Sequence, residues 1–424
     1  MRARSRALEA ASTLLLLACA AATARAGEPA RQEDHLFAFA VIADSHIKVS
    51  TSDDYRYIKA ESISRELLAN FVRDINSHVP PVDFTVHLGD ITEAGTLQEF
   101  TWAGIVLDSL DCPLYPVVGN HDNFEGDYKQ NFLDFSGLDS THYCFDYFGI
   151  NFIVIDCTLP RYLPPYVHCD YIVRTRTARD LAAKPDMPAI IFSHYNMWER
   201  YWNATFDTTE GYAEYLGVPW LREALEDAGN VLAVVNGHVH ANRVEVHNDI
   251  YYIDVNATLV GRPSIRYFYV YANRIEVDYE YISDETLFNH VKGLCPLCTS
   301  CFDRDSVCAF VDGTVEDKRF TIPYDGKLAH VSRRAPCAFE LDISRDDRGR
   351  LTATVASERS GVLGLSLYDV RGRRIDACRV YKGEEVLTVD LGSELPGLAG
   401  LPRGIYFISA TLGGATRNRK IPVL

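Results

Sequence analysis

Positive charge is what this chain has least of. Its 424 residues carry 42 Lys and Arg against 58 Asp and Glu, a formal net charge of -16. Residues 1–26 hold four Arg and one Glu, or +3, so the remainder carries -19. No basic stripe interrupts that acidity, which excludes a nucleic-acid backbone as the main partner. It does not exclude small phosphate esters, because bound cations would supply the local positive charge. Long apolar runs are lacking as well. Beyond the N-terminus nothing approaches the ~18 residues of a transmembrane helix. The mature chain is therefore expected to be soluble. A hydrophobic content of 47% and an aromatic content of 11% still support real cores, and the length leaves room for more than one domain.

Five short polar clusters follow one another in the first 240 residues: Asp44-Ser45-His46, Gly89-Asp90, Gly119-Asn120-His121-Asp122, a lone His194, and Gly237-His238-Val239-His240. Each comes directly after an apolar run that reads as a buried strand. A parallel sheet would gather residues that follow its strands at one common edge. Cysteine is absent from all five. Carboxylate and amide oxygens mixed with imidazole suit Mn, Fe or Zn rather than a thiolate site. The side chains suffice for two ions. Asp44, His46 and His240 could hold one, Asn120, His194 and His238 the other, and Asp90, with two carboxylate oxygens, could bridge them. Two metals about 3.5–4 Å apart form a clamp for in-line displacement at phosphorus. Any one cluster alone is unremarkable, since Asp and Gly favour turns and a single His is commonly a core residue. The ordered set is not. His35, His78, His87, His142, His168, His247, His290 and His330 are read as non-functional, with His87 beside Gly89-Asp90 as the nearest to an exception.

In this order the clusters resemble the calcineurin-like metallophosphoesterase superfamily over roughly residues 36–283. The resemblance implies an α/β fold, a four-layer β-sandwich flanked by helices, with a dinuclear site on top. It implies the seven metal ligands named above and attack of a metal-bridging hydroxide on a phosphate mono- or diester. It assigns His121 to the phosphoryl or leaving group, with Asp122 holding its ring, a role open to a His beside cations. A nucleotidase or pyrophosphatase of the same fold, or a surface-binding protein without turnover, are the alternatives. The family's phosphodiesterases often carry His-His or a nearby Pro at the lone His. Here Tyr195-Asn196-Met197 follows His194, so ester preference stays open.

Export is expected from the N-terminus. Arg2, Arg4 and Arg6 precede an apolar stretch from Ser12 to Ala24, and Ala24-Arg25-Ala26 is a small-x-small cleavage site. That predicts a signal peptide over 1–26 and a secreted or cell-surface protein. Leu16-Leu17-Ala18-Cys19 competes as a lipoprotein box that would anchor the chain by lipid at Cys19. Ten cysteines follow residue 26, an even number that suggests disulfides. Cys295, Cys298, Cys301 and Cys308 crowd together. Disulfides are favoured there over a zinc site, which usually takes two separated Cys-x2-Cys pairs.

Helical periodicity is expected over about 57–78 and over Leu97–Leu110, and a hairpin over 143–155. Segments 158–188 and 195–218 read as long excursions. The aromatics Tyr195, Trp198, Tyr201, Trp202, Tyr212 and Tyr215 form either a substrate wall or core packing. Strands from Arg243 to Tyr281 are expected to complete the second sheet. Residues 284–336 read as a Cys-containing linker or small subdomain. In 337–424, about six short strands suggest a small all-β sandwich. Leu365–Arg374, Gly404-Ile405-Tyr406-Phe407 and Arg419–Val423 are similar to immunoglobulin-like C-terminal modules of exported bacterial proteins, including type IX secretion sorting domains. That resemblance implies an export machinery as partner.

Overall fold

The computed structural model describes residues 35–324, except 49–51, 124–128, 159–170, 198–217, 302–303 and 305–306, and most of 340–423. The signal peptide, Cys19, Cys169, Cys337, His168, His330 and five of the six candidate wall aromatics lie outside the described residues.

Two six-stranded sheets make the core. In the first, β1 (Phe37–Ile42), β2 (Phe84–His87) and β3 (Leu114–Pro116) run parallel. β10 (Ser264–Val270), β11 (Arg274–Tyr281) and β12 (Phe320–Pro323) extend it antiparallel in the order β12-β11-β10-β1-β2-β3. In the second, β5 (Ile150–Val154), β6 (Ala189–Ser193), β7 (Val231–Asn236) and β9 (Ile250–Asp254) are parallel. The hairpin strand β4 (Tyr143–Tyr147) and β8 (Arg243–His247) close its edges antiparallel.

Strand alternation assigns each side chain to a layer. On β1, Phe37, Phe39 and Val41 enter the core between the sheets, while Ala40 and Ile42 face the helices. Phe39 stacks on its register partners Phe84 and Phe268 at 4.8 and 4.6 Å between centroids. Truncating such a ring to Ala costs about 3–5 kcal/mol. Over the first sheet lie α1 (Ser64–Ser77) and α2 (Leu97–Leu107), the latter started by a Thr96/Glu99 capping box. Over the second lie α4 (Tyr171–Ala182) and α5 (Val218–Ala228), sharing a core of Leu181, Leu221 and Leu225. The result is the expected α/β metallophosphoesterase sandwich of four layers. The short α3 (Gln130–Ser136) adds Phe132 and Phe135 to the first helical layer.

Three expectations are corrected. β10 and β11 join the first sheet, because β10 pairs with β1 rather than with its chain neighbour β9. The segment read as a linker is core up to Tyr324. α6 (Glu285–Gly293) and α7 (Val307–Asp312) contribute Val291, Val307 and Val311 to the helical layer, and β12 pairs with β11. The excursion over 158–188 contains α4. Further along, β13 (Glu340–Arg345), β14 (Leu351–Ala356) and β17 (Val386–Asp390) form one small sheet. β15 (Gly361–Asp369), β16 (Arg374–Lys382), β18 (Gly404–Leu412) and β19 (Ala415–Val423) form another. Leu341, Val355, Leu365, Val389 and Ile408 share one core. β16 is a strand that the sequence reading passed over.

Among the described cysteines, disulfides join Cys295 to Cys308 and Cys298 to Cys301. Cys112, Cys144 and Cys378 are free thiols, so the even count does not mean that every cysteine is paired. No helix among the described residues is long and apolar enough to cross a membrane.

Candidate metal centre

All five clusters lie directly after the C-terminal ends of parallel strands, three from the first sheet and two from the second. The common edge is therefore shared by two sheets rather than one. Backbone and side chain lock the halves together. His194 Nδ1 reaches the Leu88 carbonyl oxygen (2.9 Å), and His238 N–H reaches the Asp44 carboxylate at 3.0 and 3.2 Å.

Nitrogen and oxygen atoms converge there. His46 Nε2 lies 3.2 Å from His240 Nε2 and 3.7 Å from Asp90 Oδ2. His240 Nε2 lies 3.4 Å from Asp44 Oδ1. His194 Nε2 is 3.4 Å from Asp90 Oδ2 and 2.9 Å from Asn120 Oδ1. His238 joins the same group, its ring 5.0 Å from that of His194. Asp44-His46-His240 and Asp90-His194-His238 are thus two clusters with metal-ligand spacing, and Asp90 also falls with His46 and His121 in a third.

The tautomers suit ligation. His194 Nδ1 lies 2.9 Å from the Leu88 carbonyl oxygen, which can only accept, so that nitrogen carries the proton and Nε2 keeps its lone pair. His46 Nδ1 is held by the Glu93 carboxylate at 2.7 Å, leaving its Nε2 free in the same way. Asp44 and Asp90 are fully buried carboxylates, and they call for positive charge. His194 answers in part. Burial opposes its charge, but Asp90 and Asp44 raise its pKa to about 9, so in the absence of a cation Nε2 also carries a proton, which a bound cation would displace to gain the lone pair. Buried carboxylates, free imidazole lone pairs and a neutral amide oxygen form a donor set that fits divalent cations.

The sequence also holds these residues in costly backbone. Asp44, His46, Asp90, His238 and His240 all have positive φ, between 42° and 67°. Each such non-glycine residue costs roughly 1–2 kcal/mol, strain of the kind that collects at functional sites. Gly119 is needed because a Cβ there would meet Asp90 N and Oδ1 at 2.1 Å.

One expectation fails. Asp122 does not hold the His121 ring. Its two oxygens accept from Ile91 N–H, Thr92 N–H, Thr92 O–H and Gly119 N–H at 2.8–3.2 Å. It pins the loop after β2 to the loop after β3. Glu93 takes over the ring: its carbonyl oxygen accepts from His121 Nδ1 at 2.7 Å, and its carboxylate lies 3.6 Å from the same nitrogen. Lys59 completes this group, its Nζ 3.5 Å from Glu93 Oε2 and 3.4 Å from His46 Nδ1. Neither Glu93 nor Lys59 was singled out in the sequence. The nearest signal was position, three residues after Asp90 for Glu93. His87, read as core, is fully buried and hydrogen-bonds Ser45 Oγ at 2.6 Å, inside the first motif. Tyr195 is buried against the His238 and His194 rings, so it is core rather than an open wall.

Residues 37–242 match the family described as calcineurin-like phosphoesterase. This part of the chain is a calcineurin-like phosphoesterase domain, and the protein is a hydrolase of phosphoester bonds. A curated relative, the "probable glycerophosphodiester phosphodiesterase GpdQ" of Arcobacter nitrofigilis, is 24% identical over 212 residues, 49% of this chain and 74% of the relative. Among solved structures, a dimetal phosphatase from Danio rerio aligns at 16% identity and a TM-score of 0.49, covering 59% of this chain and 99% of its own.

Proposed function

We propose that this chain is an exported, dinuclear, metal-dependent phosphoesterase acting on small phosphate esters, diesters first. The observation that carries the reading is Asp90. One of its oxygens approaches both His46 Nε2 and His194 Nε2, so a single carboxylate joins the two histidine groups. Asp44, His46 and His240 would hold one ion, and Asn120, His194 and His238 the other, with Mn, Fe or Zn suited to such donors. Bound ions would neutralise phosphoryl oxygens and lower the pKa of an attacking water. The named relative supports diesters as the preferred class.

The chain's own residues orient the substrate. Asp90 Oδ1 accepts from His121 N–H at 2.8 Å, fixing that loop beside the bridging carboxylate. The His121 side chain is 20% exposed while those of His46, Asp90 and His194 are at most 1% exposed, so His121, with the half-buried Asn120 and His238, lies where a substrate can reach. It is placed to stabilise the phosphoryl group or protonate the departing oxygen.

Export rests on the basic and apolar N-terminus and on two disulfides, which need an oxidising compartment. Whether cleavage at Ala26 or lipid at Cys19 follows is open to mass spectrometry of the mature N-terminus. The C-terminal sheets are proposed as the immunoglobulin-like module that meets the export machinery.

The test is a panel of phosphodiesters, phosphomonoesters, nucleotides and pyrophosphate on metal-loaded protein, with elemental analysis in parallel. Faster diester turnover with two ions per chain supports the proposal. Turnover of nucleotides or pyrophosphate alone would replace it with the alternative hydrolase. Bound metals without turnover would leave a surface-binding protein.

A further inference from the structure

A second set of metal-ligand side chains stands on the edge strand of the second sheet, and none of its members belongs to the five clusters. His142 directly precedes β4 and Cys144 lies within it. At i and i+2 they share one face of the strand. Phe145 and Tyr147 face the core between the sheets, while Cys144 is exposed on the helix-covered side. Opposite them α4 presents Asp180. Its Oδ2 lies 2.9 Å from His142 Nε2 and 3.6 Å from Cys144 Sγ. The three donor atoms lie within 4.8 Å of one another.

We propose that His142, Cys144 and Asp180 form a separate transition-metal site of zinc type, which pins the edge strand β4 to α4. Tetrahedral zinc bonds of about 2.0–2.3 Å put neighbouring ligands roughly 3.3–3.7 Å apart; the Cys144–Asp180 spacing of 3.6 Å already matches, and the His142–Asp180 pair, hydrogen-bonded at 2.9 Å, would open by a few tenths of an ångström on binding. The donor set is nitrogen, sulfur and oxygen. A thiolate selects zinc over the harder ions that suit the oxygen-rich main centre. Binding would release the thiol proton, and thiolate with carboxylate would then balance a divalent charge. Three protein ligands leave a fourth position for water.

The neighbouring cations do not block the site. Arg179 is engaged with the other oxygen of Asp180, at 3.2 Å. Arg176 donates to the His142 carbonyl at 3.1 Å, and Lys184 pairs with Asp146 at 2.6 Å. Asp180 Oδ2, His142 Nε2 and Cys144 Sγ are left facing one another.

The test uses the full chain purified without reductant, so that both disulfides stay closed. Cobalt(II) is added as the spectroscopic probe. A sulfur-to-cobalt charge-transfer band is expected, because the main centre contains no cysteine. The band should vanish in Cys144→Ser, and the metal should bind at least ~10-fold more weakly in His142→Ala, a loss that removal of an outer hydrogen-bond partner can already produce. Zinc should also slow alkylation of Cys144 by iodoacetamide, read by peptide mass. A band that survives Cys144→Ser would overturn the site. So would alkylation at one rate with and without zinc, or a Cys144 already consumed in a disulfide. None of these readouts depends on phosphoesterase turnover.

Discussion

His121 Nδ1 donates a hydrogen bond to the Glu93 carbonyl oxygen at 2.7 Å. That bond commits the proton of a neutral ring to Nδ1, leaving Nε2 able only to accept. Protonating a leaving group therefore requires the imidazolium. Burial lowers the His121 pKa below its usual 6.5, opposed by Asp90 and Glu93. The charged form thus disappears as pH rises through a value under 6.5. Assistance to a poor leaving group should be strongest on the acid side, while p-nitrophenyl esters should show little of this limb. His121→Ala should keep its metals and lose about 10²–10⁴-fold in rate on poor leaving groups. Equal losses for good and poor leaving groups would restrict His121 to phosphoryl stabilisation.

Glu93 binds no ion in this account but orients His46 at 2.7 Å. Removing a partner of that kind costs about 10–100-fold in metal affinity. Glu93→Ala should show that loss in chelator competition. Glu93→Gln, which keeps an accepting oxygen, should lose less. Identical affinities for wild type and Glu93→Ala would show that His46 is positioned by other contacts.

Two glycines should respond in opposite directions. Gly104 lies inside α2, where a Cβ would meet only Phe135 carbons at 3.7 Å or more. Gly104→Ala should stabilise by about 0.5–1 kcal/mol. Gly119→Ala would drive a methyl into Asp90, displacing the carboxylate proposed to bridge the ions, and should abolish metal binding. Thermal melts with metal analysis on both variants check the pair.

A chain ending at Arg334 keeps β12 and both disulfides, and should retain metals and turnover of a small ester. Cys295, Cys298, Cys301 and Cys308 pair among themselves and Cys378 is free, so truncation breaks no described disulfide. An exposed Lys420–Asp111 ion pair is lost, a contact worth at most ~1 kcal/mol. A collapse in rate per bound metal would mean that the C-terminal sheets help to build the site.

The candidate metal-binding residues were legible because each motif is local and follows its own strand. Glu93, Lys59 and His87 were not, because their roles appear only when distant segments meet. His46 lies 13 residues from Lys59, and Ser45 lies 42 from His87. α4 was hidden by Ile172, Val173, Thr175 and Thr177, whose β-branched side chains favour strands. Its packing on α5 overrides that preference. The placement of β10 and β11 rests on pairing with β1, more than 220 residues earlier, which no local pattern carries.

The central claim is that Asp90 serves two ions at once. Asp90→Ala, purified beside wild type and analysed for bound metal by elemental analysis, tests it most directly. Loss of both ions and of all phosphoesterase activity is the predicted result. Two metals retained in the variant would contradict the dinuclear assignment.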